Sequence, residues 1–176
     1  METKNLAQLY ELPALAWGPV RAQLDQGFDQ VPERAGAARQ TTWLTTTNQD
    51  GSPHTTPVGA VWIDDAFWFQ SGDGARKARN IVRDPRCTMS VSIADYDVVA
   101  SGTAAKIDDP KAVERVVARW FAGGWPVRVD ETGYGLTAEF NAPSAGPAPW
   151  FVYRLTLDSA TALQTSAPGG ATRWRF

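Results

Sequence analysis

A single cysteine, Cys87, leaves this chain of 176 residues unable to close an internal disulfide or build a thiolate metal cluster. A single histidine, His54, likewise excludes a His-based metal triad and any mechanism that needs paired imidazoles. No apolar run approaches the roughly 20 residues of a membrane-spanning helix. The opening Met1-Glu2-Thr3-Lys4-Asn5 lacks the basic start and apolar stretch of a signal peptide. These shortages point to a reducing, cytoplasmic setting and to no membrane partner.

What is present is ordinary in amount and uneven in placement. With 43% hydrophobic and 20% charged residues, the chain supports one domain with a real core. Eight tryptophans are the unusual count; they suit core and interface packing, or the lining of a planar ligand's pocket. The net charge is −2, yet Asp73 to Arg86 holds five cations (Arg76, Lys77, Arg79, Arg83, Arg86) against two acids. An acidic chain that gathers positive charge in one short segment faces a localised anion there, whereas a nucleic-acid binder would show a broader basic surface.

Pro13 to Phe28 carries apolar residues near helical spacing, with Gly18-Pro19 as a break or a shifted start. Residues 27–40 read as a polar connection. From Thr41 the pattern turns to strands. Thr41–Thr47 precedes turn chemistry at Asn48-Gln49-Asp50-Gly51, and Thr55–Ile63 and Ala66–Gln70 flank a tight hairpin at Asp64-Asp65. Cys87 to Ile93 alternates cleanly, and Asp97–Ile107 follows as its hairpin partner. Asp109-Pro110 opens a helix whose stripe is Val113, Val116, Val117, Trp120 and Phe121, and Gly123-Gly124 closes it. Residues 122–149 read as loop. Trp150–Leu157 and Thr161–Thr165 read as two strands. This order favours a mainly β (α+β) fold, an antiparallel barrel with a few flanking helices.

The chemistry concentrates at Ser71-Gly72-Asp73-Gly74-Ala75-Arg76-Lys77-Ala78-Arg79-Asn80-Ile81, where a strand enters a Gly-rich turn and a short helix. Arg76 and Lys77 fall in its first turn, where the helix dipole disfavours cations. A bound anion, best a phosphate, would resolve that conflict by using both cations and the free backbone N–H groups. A solvated basic face describes the same segment equally well. Neither a Walker-type loop nor a dinucleotide fingerprint is present.

The run from Gly51-Ser52-Pro53-His54-Thr55-Thr56-Pro57-Val58, through Phe67-Trp68-Phe69-Gln70-Ser71, to Arg76-Lys77-Ala78-Arg79-Asn80-Ile81 and Asp84-Pro85-Arg86 resembles the pyridoxamine-phosphate-oxidase-like split barrels. Within them it is most similar to the actinobacterial reductases that use the deazaflavin coenzyme F420. The likeness covers roughly residues 41–107, and the closing Thr172-Arg173-Trp174-Arg175-Phe176 resembles tails of the same relatives. It implies a split barrel over residues 41–176 behind an N-terminal helical segment and connection, residues 1–40. It also implies that Arg76 and Lys77 hold a cofactor phosphate with Gln70 and Ser71 beside it. Thr56, Pro57 and Val58 would lie along the ring system, Asn80 would sit one helical turn away, and Trp174 could come from the partner subunit of a homodimer. Oxidases of the family usually carry a hydroxyl residue before the Arg-Lys pair, where this chain has Ala75.

Other candidates have simpler roles. His54 reads as a surface or strand-edge histidine, Cys87 as a small buried hydrophobe, Asp64-Asp65 as a turn and Asp108-Asp109 as a helix cap. With no nucleophile–base constellation left, catalytic residues stay unassigned and the cofactor would carry the chemistry. The resulting expectation is an F420H2-dependent oxidoreductase that passes hydride to a small or planar organic acceptor. The alternatives are an FMN-dependent oxidase or reductase on the same fold, and a non-catalytic flavin, deazaflavin or tetrapyrrole carrier.

Overall fold

The computed structural model describes residues 1–28, 30 and 39–176. Among these residues, eleven strands form one antiparallel sheet, and its main path runs β1-β11-β10-β7-β6-β2-β3. These strands are β1 (Glu2–Asn5), β2 (Thr42–Thr47), β3 (Pro53–Val58), β6 (Arg86–Ile93), β7 (Tyr96–Lys106), β10 (Trp150–Gln164) and β11 (Gly170–Arg175). Off the path, β4 (Ala60–Ile63) pairs with β5 (Ala66–Ser71), and β8 (Val127–Val129) with β9 (Gly135–Ala138). Among the described residues, three α-helices flank the sheet, α1 (Trp17–Asp25), α2 (Arg76–Arg83) and α3 (Pro110–Ala122), with a single 3-10 turn at Gln8–Tyr10.

Strand β10 is where the barrel splits. One of its edges pairs with β7 along nearly its whole length. The other pairs first with β5 (Phe151 opposite Ser71) and then with β11 (Ser159 opposite Arg175). The register shifts between Leu157 and Ser159 where the partner changes, which is what a β-bulge does to strand direction. Gly102 of β7 sits opposite this kink, and a Cβ there would meet the Thr156 carbonyl oxygen at 1.9 Å. Polar Asp158-Ser159 made one 15-residue strand look like two in the sequence.

Two cores result. The barrel interior holds Phe67, Phe69, Leu44, Met89, Tyr153 and Leu155. A second layer between the outer face of β5 and β10 and the α3–β8–β9 cover holds Ala66, Trp68, Val113, Trp120, Trp150 and Val152. Strand β5 is buried on both faces, so Ala66-Phe67-Trp68-Phe69 is a continuous apolar run without alternation. Truncating Phe67 or Phe69 to Ala would cost about 3–5 kcal/mol.

Several expectations change. Helix α1 starts at Trp17, which puts Gly18-Pro19 in its first turn, where a missing proline N–H costs nothing. The span Thr55–Ile63 is two strands separated at Gly59, one joined to β2 and the other to β5. Residues 122–149 contain β8 and β9. Glu2–Asn5, expected in a helical segment, pairs with β11 and belongs to the sheet. The expected polar connection at 27–40 lies largely outside the described residues. The Asp64-Asp65 turn has positive φ at both positions, 51° and 56°, the geometry of a two-residue hairpin turn. Its carboxylates are engaged by Arg115 at 3.1 Å and Arg21 at 2.6 Å. Asp109 caps α3 by accepting from the Lys111 N–H at 3.0 Å.

Candidate functional site

Strand β5 delivers the chain into Ser71-Gly72-Asp73-Gly74, and the Ala75 N–H donates to the Gly72 carbonyl at 3.0 Å. Helix α2 then begins with Ala75 as its N-cap, a residue with no side chain to cap it. Its first turn therefore offers uncapped N–H groups beside Arg76 and Lys77.

The five cations of this segment divide sharply. Arg79 donates from Nη1 to the Gly74 carbonyl at 3.0 Å. Arg83 reaches the Thr47 carbonyl and the Asn80 Oδ1. Arg86 forks onto Asp84 at 2.8 and 2.7 Å and holds that carboxyl down at about 2. Arg76 and Lys77 have no hydrogen-bond or ion-pair partner among the described residues. Burial of Lys77 lowers its pKa, a bias toward the neutral amine that a bound anion would reverse.

Asn80 ties this helix to the sheet. It is 3% exposed and donates from Nδ2 to Thr46 Oγ1 at 3.0 Å and to Asn48 Oδ1 at 3.1 Å. That role is structural: the amide anchors α2 on β2 and its following turn. Opposite Thr46 in the register stands His54 of β3. Its imidazole is held below its ordinary pKa by burial first, then by the charges of Arg76 and Lys77, and its Nδ1 is buried without a partner. His54 was expected to be a bland edge residue; it does sit on an edge strand, but it faces the two free cations. Nothing in the linear sequence marks it, because the proximity comes from strand pairing. A cavity of about 400 Å³ opens here between Asn48-Gln49-Asp50 and Arg76. The nearby Asp50 carboxylate is occupied by its own turn, accepting from the Ser52 N–H at 3.0 Å and from Ser52 Oγ at 2.5 Å.

The other expected residues scatter. Thr56 and Val58 alternate with exposed Pro57, which pairs beside Trp43, so the strand offers two side chains on the His54 face and one on the outside. Ser71 is 1% exposed and gives its hydroxyl to the Gly72 carbonyl at 3.2 Å, so it shapes the turn. Gln70 points to the opposite face of β5, into the second layer, and donates to Asn141 Oδ1 at 3.3 Å. Asn141, which no sequence pattern singled out, therefore anchors the 141–149 segment to the strand end. Trp174 requires a correction: it is 1% exposed in its own chain, 5.2 Å between ring centroids from Trp17, and packs the barrel interior. A ring that completes its own core is not free to line a pocket. Cys87 is buried, and burial pushes its thiol up to about 12, which keeps it inert.

Two unpaired cations, an uncapped helix start and a neighbouring imidazole form a donor set that fits an oxyanion, and a phosphate satisfies all of them together.

Comparison with known proteins identifies the family and the fold. The family model described as pyridoxamine 5'-phosphate oxidase matches residues 33–139. A putative 5-nitroimidazole antibiotic resistance protein from Bacteroides thetaiotaomicron aligns over 99% of this chain and 93% of its own, at 12% identity and TM-score 0.57. A conserved hypothetical protein from Mycobacterium tuberculosis aligns over 85% and 84%, at 20% identity and TM-score 0.57. A pyridoxamine 5'-phosphate oxidase-related, FMN binding protein from Nostoc punctiforme aligns over 91% of each chain, at 17% identity and TM-score 0.55. At these identities the structures establish a shared fold. No curated protein matches the sequence.

Proposed function

We propose, on the premise that this chain belongs to the pyridoxamine 5'-phosphate oxidase family, that it is a cytoplasmic, homodimeric oxidoreductase using coenzyme F420. When bound, the reduced deazaflavin supplies a hydride to a small or planar organic acceptor. The observation that carries the reading is the pair of unpaired cations at the uncapped start of α2. In a basic segment whose other three members each donate to an acceptor within the protein, Arg79 by a single bond to the Gly74 carbonyl, charge left without any partner at that end of a helix is a cost unless an anion compensates it.

The chain's own contributions follow from position. Arg76 and Lys77 bind the cofactor phosphate with the first-turn N–H groups. His54 stands beside them, and Asn80 keeps helix and sheet in register. Thr56 and Val58 offer a surface along β3 for the ring system, while Ser71 fixes the turn that aims the helix. Gln70 with Asn141 positions the segment that walls the far side of β5. The proton that completes the reduction comes from solvent or substrate, because no protein donor is assigned.

The dimer rests on a surface argument. Pro57, Trp43, Ser90 and Val99 lie in one cross-strand row on the outer face, with Thr45, Thr88 and Ser101 in the next. Trp43 is 46% and Val99 42% exposed, and none of these seven residues is charged; the rows acquire charge only further on, at Arg173 and Arg175 of β11 and Lys4 and Glu2 of β1. A second copy covering this face would place the β3 edge, with its cofactor site, at the boundary.

FMN is the second reading, favoured by the family match and by the FMN-binding description of the Nostoc relative. Parallel fluorescence titrations with F420 and FMN distinguish the two. Tight F420 binding with weak FMN binding supports the deazaflavin reading, and the reverse moves the protein to FMN. Binding without oxidation of the reduced cofactor by any acceptor would make the protein a carrier. Silence from both cofactors would sink the flavin reading.

A further inference from the structure

Helix α2 has a second side. Asn80 and Arg76 face β2 and its turn; the opposite flank faces the end of β7 and the start of β10, where a groove of about 490 Å³ runs along the helix. That volume lies within the range of small-molecule sites, roughly 300–1,000 Å³. Its floor is apolar, built from Ala78 and Ile81 of the helix and Ala104 and Ala105 of β7. Val82 forms one wall and is 84% exposed, an isolated apolar side chain on a helix otherwise charged toward solvent.

The charges at the mouth do not cancel. Asp73 and Lys106 close on each other at 2.9 Å, and the Lys106 ammonium is seated 3.2 Å above the Phe151 ring, so this pair is neutral and fixed. Arg79 remains. One of its terminal nitrogens donates to the Gly74 carbonyl at 3.0 Å, and the rest of its planar donor set is uncommitted. The groove thus presents an apolar trough with one uncompensated positive charge at its rim.

We propose that this groove is a second ligand site, separate from the phosphate site, for a small hydrophobic monoanion such as an aromatic carboxylate. The apolar body lies along Ile81, Val82, Ala104 and Ala105, and the carboxylate meets the Arg79 guanidinium, whose fork geometry suits it. The inference does not depend on the redox assignment, because it uses neither Arg76, Lys77 nor β3.

Calorimetric titration with 2-naphthoate and its uncharged analogue 2-naphthamide tests it. Expected is binding of the naphthoate with the amide weaker by about tenfold, the typical margin of one charge-assisted contact. Val82→Glu, at an exposed position that folding tolerates, should weaken naphthoate binding by about tenfold or more through like charge and lost apolar wall. Arg79→Gln should erase the preference for the acid. Arg76→Ala/Lys77→Ala should weaken naphthoate by no more than about twofold to threefold, through the loss of nearby positive charge; a loss as large as that in Arg79→Gln would mean that the acid sits in the phosphate site and would overturn the proposal. Equal affinity for acid and amide, no binding at millimolar ligand, or indifference to Val82→Glu would overturn it too. So would light scattering that shows Val82→Glu dissociating an assembly, since a second copy would then be the occupant of the groove.

Discussion

The two ends of α2 use the same side chains for opposite purposes. At its C-terminal end Arg83 is spent on the Thr47 carbonyl and Asn80, and Arg86 on Asp84. Arg83 sits in the last turn, where the helix dipole welcomes a cation, Arg86 follows just beyond it at the start of β6, and each has found an acceptor inside the protein. At the N-terminal end Arg76 and Lys77 sit where the dipole opposes them and have found none among the described residues. The difference separates charge that builds structure from charge that the proposed cofactor phosphate would engage. Residue type alone does not show it.

The strongest way to break this comparison is to remove each set in turn. Arg76→Ala/Lys77→Ala should weaken phosphorylated cofactor binding at least about tenfold. If both contacts are charge-assisted, at about 1.5–3 kcal/mol each, the loss lies between about a hundredfold and ten-thousandfold, with little change in Tm. Arg83→Ala should do the reverse, lowering the denaturation midpoint while affinity holds. If both variants lost affinity equally, the distinction between the two ends would collapse.

Asn80→Ala tests the link between the ends. It leaves Thr46 and the Asn48 side chain without their buried donor, so urea unfolding should show a loss of about 1–3 kcal/mol. Ala75→Ser comes next: a hydroxyl at the bare N-cap should add about 1 kcal/mol of stability, read as a shift in the urea midpoint.

The smallest effect belongs to His54. Its pKa is depressed in the folded protein, so below the ordinary value of 6.5 the unfolded chain takes up a proton that the folded one resists. Stability should therefore fall as pH drops through 6.5 toward the folded value and stay level above it. His54→Gln should remove that dependence, and an unchanged pH profile in this variant would assign it to other groups. A bound anion opposes the field of Arg76 and Lys77, so cofactor should shrink the effect in the native protein.

How much of this the sequence displayed depends on whether the cause was local. The presence of α2, the Asp64-Asp65 turn and the Asp109 cap were legible because the residues that dictate them are adjacent in the chain, although α2 begins at Arg76 rather than near Asp73 or Gly74, where the Gly-rich turn suggested it. Strand β10 was misread because Asp158-Ser159 imitates a turn, and only its two successive partners, β5 and β11, hold it as one strand. His54 and Asn141 were invisible as site residues because cross-strand and cross-layer pairing brings them in. Trp174 looked available because a tail rich in Arg reads as surface, while the alternation of β11 buries every second residue.

Among the described residues, the seven-strand path ends at two edges without a further partner, and each is blunted differently. Glu2 and Lys4 put charge on β1, while β3 carries Pro53 and Pro57, which have no N–H to offer a neighbour. Such edges resist the strand-to-strand sticking that seeds aggregates. Deleting residues 1–6 would uncover β11 and should cost the protein its solubility before its fold. The prolines leave β3 interrupted rather than sealed. An edge too broken to recruit another chain still leaves single backbone groups open between its prolines.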